Sequence, residues 1–145
     1  MKELRFEDLS EGQRFASGPV IMTEADIVAF ASDFDPQPMH LDKASAEAGP
    51  LGGLIASGWH TAAVAMTLQR QIGLPGTGLA EIASLAWPLP VRPGDELHAE
   101  IEIKTLEAPD RVQFQNTVMT AAGATVLVMN GTVLVPRRSD KPERI

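Results

Sequence analysis

Residues 57–71 read Ser-Gly-Trp-His-Thr-Ala-Ala-Val-Ala-Met-Thr-Leu-Gln-Arg-Gln, SGWHTAAVAMTLQRQ, and the fold turns on them. Ala62, Ala63, Val64, Ala65, Met66 and Leu68 put apolar side chains on most sides of a helix from about Trp59 to Gln71. Such a helix is expected to be buried all round. Gly73, Pro75 and Gly76 stop it. Beyond them the apolar period changes from 3.6 to 2. Leu97, Ala99, Ile101 and Ile103 alternate with His98, Glu100, Glu102 and Lys104, which predicts a strand with one wet face. Val112, Phe114, Asn116 and Val118 alternate less cleanly with their neighbours. Thr125–Met129 and Thr132–Val135 are β-branched and almost wholly apolar, as an interior strand would be. Leu79–Trp87 makes a further strand, and Ala108-Pro109-Asp110 and Ala122-Gly123 are the turns. A run of strands after a hydrophobic helix predicts an α+β domain, an antiparallel sheet wrapped around that helix.

Upstream, Pro19-Val20-Ile21-Met22 reads as a short strand and Thr23 as an N-cap, with Glu24 and Asp26 in the first turn. Ile27, Phe30, Ala31 and Phe34 form one apolar helical stripe that ends near Phe34, because the prolines at 36 and 38 cannot continue it. Asp42 is placed to cap a short helix over Lys43–Ala48, and Gly49–Gly53 is a loop by composition.

The chain has 145 residues, enough for one domain with a real core. That domain is expected over 1–136, followed by a charged tail, 137–145, that frays. Hydrophobic residues make up 44% and charged ones 21%, which rules against wholesale disorder. No cysteine is present, so disulfides, thiolate metal sites and a cysteine nucleophile are excluded. The opening residues carry no apolar signal segment, and no run approaches a membrane span, so the chain is expected to be cytoplasmic with no membrane partner. A net charge of −7 argues against nucleic acid. An anionic ligand would need a local patch, for which Arg70, Arg92, Lys104, Arg137 and Arg138 are equal candidates.

Residues 31–42, ASDFDPQPMHLD, concentrate aspartates, prolines and a histidine beyond what a turn requires. Pro36 and Pro38 stiffen the segment between Asp35 and His40. A stiff loop can hold a carboxylate and an imidazole around one water, which is what acid–base chemistry needs. By itself the segment is more often an Asx-turn with a surface histidine. A metal shell built on Asp35, His40 and Asp42 would lack further histidines nearby, so no metal is expected. Ser57-Gly58 opens the long helix, where free N–H groups and the helix dipole polarise a carbonyl oxygen. His60, in the first turn, is expected to be neutral and either packed or pocket-lining, and Trp59 and Trp87 to serve core or interface. An acid–base pair beside an oxyanion donor fits proton chemistry next to a carbonyl.

DPQPMHLD at 35–42, GGLIASGWHTAAV at 52–64 and LPVRPGDEL at 89–97 together resemble the MaoC-like dehydratases, including the (R)-specific enoyl-CoA hydratases. The resemblance implies a single hotdog domain, a long central helix wrapped by a curved antiparallel sheet. It implies Asp35 and His40 as the catalytic pair and Gly58 as the backbone oxyanion donor. Gln37, Ser57 and Trp59 stand where the family usually has Asn, His and Met, and are expected to shape substrate binding. A helical serine that some members use would fall near Met66 and Thr67. The implied reaction is reversible hydration of an enoyl-CoA, with the CoA thioester as substrate and no cofactor. A thioesterase, or a non-catalytic acyl-CoA-binding domain, is the alternative on the same fold. The family also implies edge-to-edge pairing into a homodimer or larger homo-oligomer.

Overall fold

The computed structural model describes residues 3–74 and 78–139. Strand β1 (Arg14–Ile21) leads to helix α1 (Glu24–Phe34), the single turn α2 (Pro38–Leu41), α3 (Lys43–Ala48) and the long α4 (Gly58–Gln71). Strands β2 (Gly78–Ala86), β3 (Glu96–Glu107), β4 (Arg111–Thr120) and β5 (Thr125–Leu134) follow. They form one antiparallel sheet in the order β1-β3-β4-β5-β2. Register shifts interrupt every pairing, for example between Ser17 and Val20 and between Ile103 and Thr105. Bulges of this kind bend strands and increase twist, and the sheet curls around α4. This is the α+β arrangement that periodicity predicts and the hotdog form of it that the resemblance implies.

The alternation of β3 is borne out: Leu97, Ala99, Ile101 and Ile103 are buried while the residues between them are not. β4 buries Val112, Phe114, Asn116 and Val118 against α4. Asn116 earns its interior place by donating from Nδ2 to the Ala65 carbonyl at 2.9 Å and to Gln69 Oε1 at 3.0 Å. Residues 125–134 form one continuous interior strand rather than two runs. The caps fall where expected: Thr23 Oγ1 accepts from Asp26 N–H, and Asp42 Oδ1 from Ala44 and Ser45 N–H.

Several expectations need correction. Helix α4 is not buried all round: Trp59, Ala63, Thr67 and Gln71, four residues apart, form an exposed stripe. One sheet curls past only one side of the helix, and alanine tolerates water at little cost. Phe34, the last residue of α1, leaves the apolar stripe and is 72% exposed. Its ring leans on Phe30, which stacks on His60 at 4.6 Å. The first strand begins at Arg14, well before Pro19, since a bulge lets the chain keep pairing with β3 up to Ile21. Within the expected tail, Arg137 sits over the Phe6 ring and Arg138 pairs with Asp8. Residues 140–145, and Pro75 and Gly76 of the expected helix stop, lie outside the described residues. Among the described residues no helix is long and apolar enough to cross a membrane.

Candidate active site

Asp35 sits at the C-cap of α1, its N–H donating to the Ala31 carbonyl at 2.9 Å. The segment that follows is not a plain loop. Pro38 opens the turn α2, a position where its missing N–H costs nothing, and the turn swings His40 inward until it is buried. The Ile55 N–H donates to the Met39 carbonyl and the Ala56 N–H to the Val91 carbonyl, which fastens residues 55–56 between α2 and the segment before β3. His40 Nδ1 lies 2.8 Å from the Ile55 carbonyl oxygen. A carbonyl only accepts, so Nδ1 carries the hydrogen and neutral His40 turns a lone pair on Nε2 towards Asp35. Nε2 and Asp35 Oδ2 are 3.4 Å apart, a spacing at which two acceptors can share a water.

Asp35 is held from both sides. Gln37 Nε2 donates to Oδ1 and Ser57 Oγ donates to Oδ2, each at 2.7 Å. These bonds, the Gln37 amide first and the Ser57 hydroxyl second, hold its carboxyl below the usual carboxylate range; burial opposes them and a charged His40 would add to them. Asp35 is therefore a carboxylate at neutral pH.

Ser57 is fully buried and caps α4 by accepting from the Trp59 N–H. It braces Asp35 and does not itself border the cavity. Gly58 is the first residue of α4, and its N–H finds no partner among the described residues. Asp35, Gln37, His40, Gly58 and Trp59 all border one cavity of about 450 Å³. Its other walls are mainly apolar: Met39, Leu51, Ile55 and the run from Trp87 to Val91. Trp59 and Trp87 stand at its mouth, 59% and 40% exposed, rather than in the core. Met66 and Thr67 do not border it, and Thr67 Oγ1 bonds back to its own helix. The helical hydroxyl that does border it belongs to Thr61, one turn after Ser57, which sequence reasoning passed over. Asp42 is used in capping α3, and no group of three or more His, Asp or Glu side chains converges among the described residues.

Burial pushes the His60 imidazole below its ordinary value, against the opposing charge of Asp26. The side chain bonds of Ser45 lower Asp42 as the Gln37 and Ser57 bonds lower Asp35. All three groups bind protons more weakly folded than unfolded. Their stabilisation is complete above the unfolded values and lost as pH falls through the folded ones. Loss should begin below roughly pH 6.5 for His60 and below roughly pH 4 for the carboxyls. Urea midpoints at pH 8, 5 and 3 check this: His60→Gln should flatten the first interval, and Asp35→Asn with Asp42→Asn the second.

Known proteins similar to this chain fall in one family. A family model described as MaoC like domain matches residues 7–127. A relative from Rhodospirillum rubrum named (R)-specific enoyl-CoA hydratase is 33% identical over 136 residues, covering 92% of this chain and 92% of its own length. A 3-hydroxybutyryl-CoA dehydratase from Methylorubrum extorquens is 32% identical over 139 residues, 93% of this chain and 85% of that protein. Among solved structures, a MaoC-like dehydratase from Rhodospirillum rubrum superposes with a TM-score of 0.85 at 43% identity, covering 94% of this chain and 99% of that one.

Proposed function

The chain belongs to the MaoC-like domain family, and from that premise we propose that it is a cytoplasmic hydro-lyase that reversibly adds water to a trans-2-enoyl-CoA, giving the (R)-3-hydroxyacyl-CoA. The observation that carries this reading is the convergence on one apolar cavity of Asp35, His40 and a Gly58 N–H without a partner among the described residues.

Asp35 Oδ2 and His40 Nε2 accept the two hydrogens of one water and aim its oxygen at Cβ of the bound enoyl thioester. An imidazole is ordinarily a stronger base than a carboxylate, and the bonds from Gln37 and Ser57 weaken Asp35 further as a base. His40 therefore takes the proton as the C–O bond forms. The alkene electrons pass to the thioester oxygen, where the Gly58 N–H stabilises the enolate. The His40 imidazolium, beside the Asp35 carboxylate, then returns the same proton to Cα. One water is added and no outside proton is needed, so Asp35 need not enter protonated. The reverse sequence dehydrates the hydroxyacyl thioester. Protons and one polarised carbonyl suffice, and the reaction asks for no cofactor.

Arg92 is the favoured cation for the CoA phosphates. Its side chain donates to the carbonyl of Leu51, on the cavity wall, and it shares a surface cleft with Lys43. Arg70, by contrast, is paired with Glu3.

Incubation with crotonyl-CoA followed by mass spectrometry tests the proposal. Gain of one water with CoA retained is expected. Free CoA would instead indicate a thioesterase, a reading disfavoured because both Asp35 oxygens already accept hydrogen bonds and make a poor nucleophile. Binding without turnover across a panel of acyl-CoAs would indicate a non-catalytic acyl-CoA-binding domain.

The proposal includes a homodimer or larger homo-oligomer. Both sheet edges are open in the single chain, but they differ. β1 carries Arg14, Pro19 and a bulge, devices that discourage pairing. β2 carries one charge, Glu81, and exposes Leu79 and Ile82. Light scattering should give at least twice the chain mass, and Ile82→Lys should lower it to the monomer.

A further inference from the structure

Trp87 leaves the end of β2, whose last residues pair with β5 through Leu85↔Met129 and Ala86↔Val128. The sheet thus fixes where its side chain starts. Its indole Nε1–H donates to the Gly58 carbonyl at 2.8 Å. The ring also lies flush against Gly58: a Cβ on that residue would fall 2.9 Å from Cε2 and 3.0 Å from Nε1 of the indole. Trp59 meets the ring edge-on, with centroids 5.5 Å apart and planes at 80°. Gly58, Trp59 and Trp87 therefore interlock at the mouth of the cavity.

Gly58 is the first residue of a helix, where the N–H has no intrahelical partner and the backbone frays most readily. Glycine adds further freedom. An oxyanion donor works only if it is already aimed before charge develops. The cap by Ser57 holds the Trp59 N–H, not that of Gly58. The Ser57 carbonyl, in the same peptide unit as the Gly58 N–H, accepts from the His60 and Thr61 N–H groups at 3.0 and 3.2 Å, and the indole adds the hold on the other side of the Gly58 Cα, tying it to the end of β2.

We propose that Trp87 is a positioning residue for the Gly58 N–H, clamping the first turn of α4 through the Gly58 carbonyl, and that glycine is required at 58 by the indole as well as by the substrate. This rests on Gly58 being the oxyanion donor.

Trp87→Phe keeps an aromatic wall and deletes the N–H. In the full chain, kcat and KM for crotonyl-CoA, the affinity for the inert butyryl-CoA, and the Gly58 amide resonance are measured together. A fall in kcat of about 10- to 100-fold, with butyryl-CoA affinity little changed and the Gly58 resonance displaced, is the expected result. Gly58→Ala should lose less activity in a Trp87→Leu background than in the wild-type background, since the added methyl no longer meets the ring. Unchanged kcat with a weaker butyryl-CoA affinity would make Trp87 a cavity wall only and overturn the proposal, as would an undisturbed Gly58 resonance. If the wild-type protein hydrates no enoyl thioester, the oxyanion reading fails by itself. The clamp is then judged by the Gly58 resonance alone, whose displacement in Trp87→Phe supports it and whose constancy rejects it.

Discussion

His40→Ala is expected to slow crotonyl-CoA hydration by about 10²–10⁴-fold, the usual worth of a positioned acid–base group. The reason is specific to the geometry. Nδ1 is committed to the Ile55 carbonyl, so Nε2 is the atom free to take a proton, and it faces Asp35 Oδ2 at 3.4 Å. Asp35→Asn should fall in a similar range, because an amide has one acceptor oxygen to serve the Gln37 and Ser57 bonds and the water together, and carries no charge to balance an imidazolium. The double variant should be little worse than the worse single one, since both side chains hold one water and act as a unit. Multiplying losses would mean separate roles and would count against the shared water. Both singles at wild-type kcat would reduce residues 35–40 to a stiff turn. Alanine at 40 also leaves the Ile55 carbonyl unpaired in the interior, at a cost of about 1–3 kcal/mol. Melting curves must accompany the kinetics to separate lost chemistry from lost fold.

Phe114→Ala should produce the largest loss of stability. The ring heads the fully buried side chains at 1% exposure, on the central strand of the sheet. It packs so closely on Gly131 that a Cβ there would lie 2.9 Å from its Cζ. Deleting the ring should cost about 3–5 kcal/mol. Total stabilities of such domains are about 5–15 kcal/mol, so a fall in Tm of about 6–20 °C is expected. Calorimetry on the variant checks it. A loss under about 1 kcal/mol, below the usual core range, would show that the sheet does not close over this residue as described.

Much of the fold was legible because it is written locally. The period-2 alternation from Leu97 to Lys104 depends only on strand geometry and one wet face, and the structure buries the apolar half of it. The caps at Thr23 and Asp42 bond N–H groups within three residues, so their chemistry is visible in a short window. Asp35, His40 and Gly58 were legible through the spacing of their motifs and the resemblance those motifs carry. The turn α2 was not, because four residues give no periodicity and two prolines read as a break.

Sequence alone settled the types of the longer elements, the caps at Thr23 and Asp42 and the apolar faces of β3 and β4, and it named Asp35, His40 and Gly58 as candidates. Tertiary structure alone decided what those residues touch. Ser57 braces Asp35 across 22 residues, and Trp87 clamps Gly58 across 29. Neither pairing follows from any local pattern. The first depends on α1 packing beside α4, the second on the strand order β1-β3-β4-β5-β2, which returns β2 beside β5 and brings Trp87 to the first turn of α4. The same order leaves β2 at an edge and one stripe of α4 in water. Propensity and periodicity act over a few residues, whereas burial is set by whatever the folded chain brings alongside, and no short window of sequence contains that neighbour.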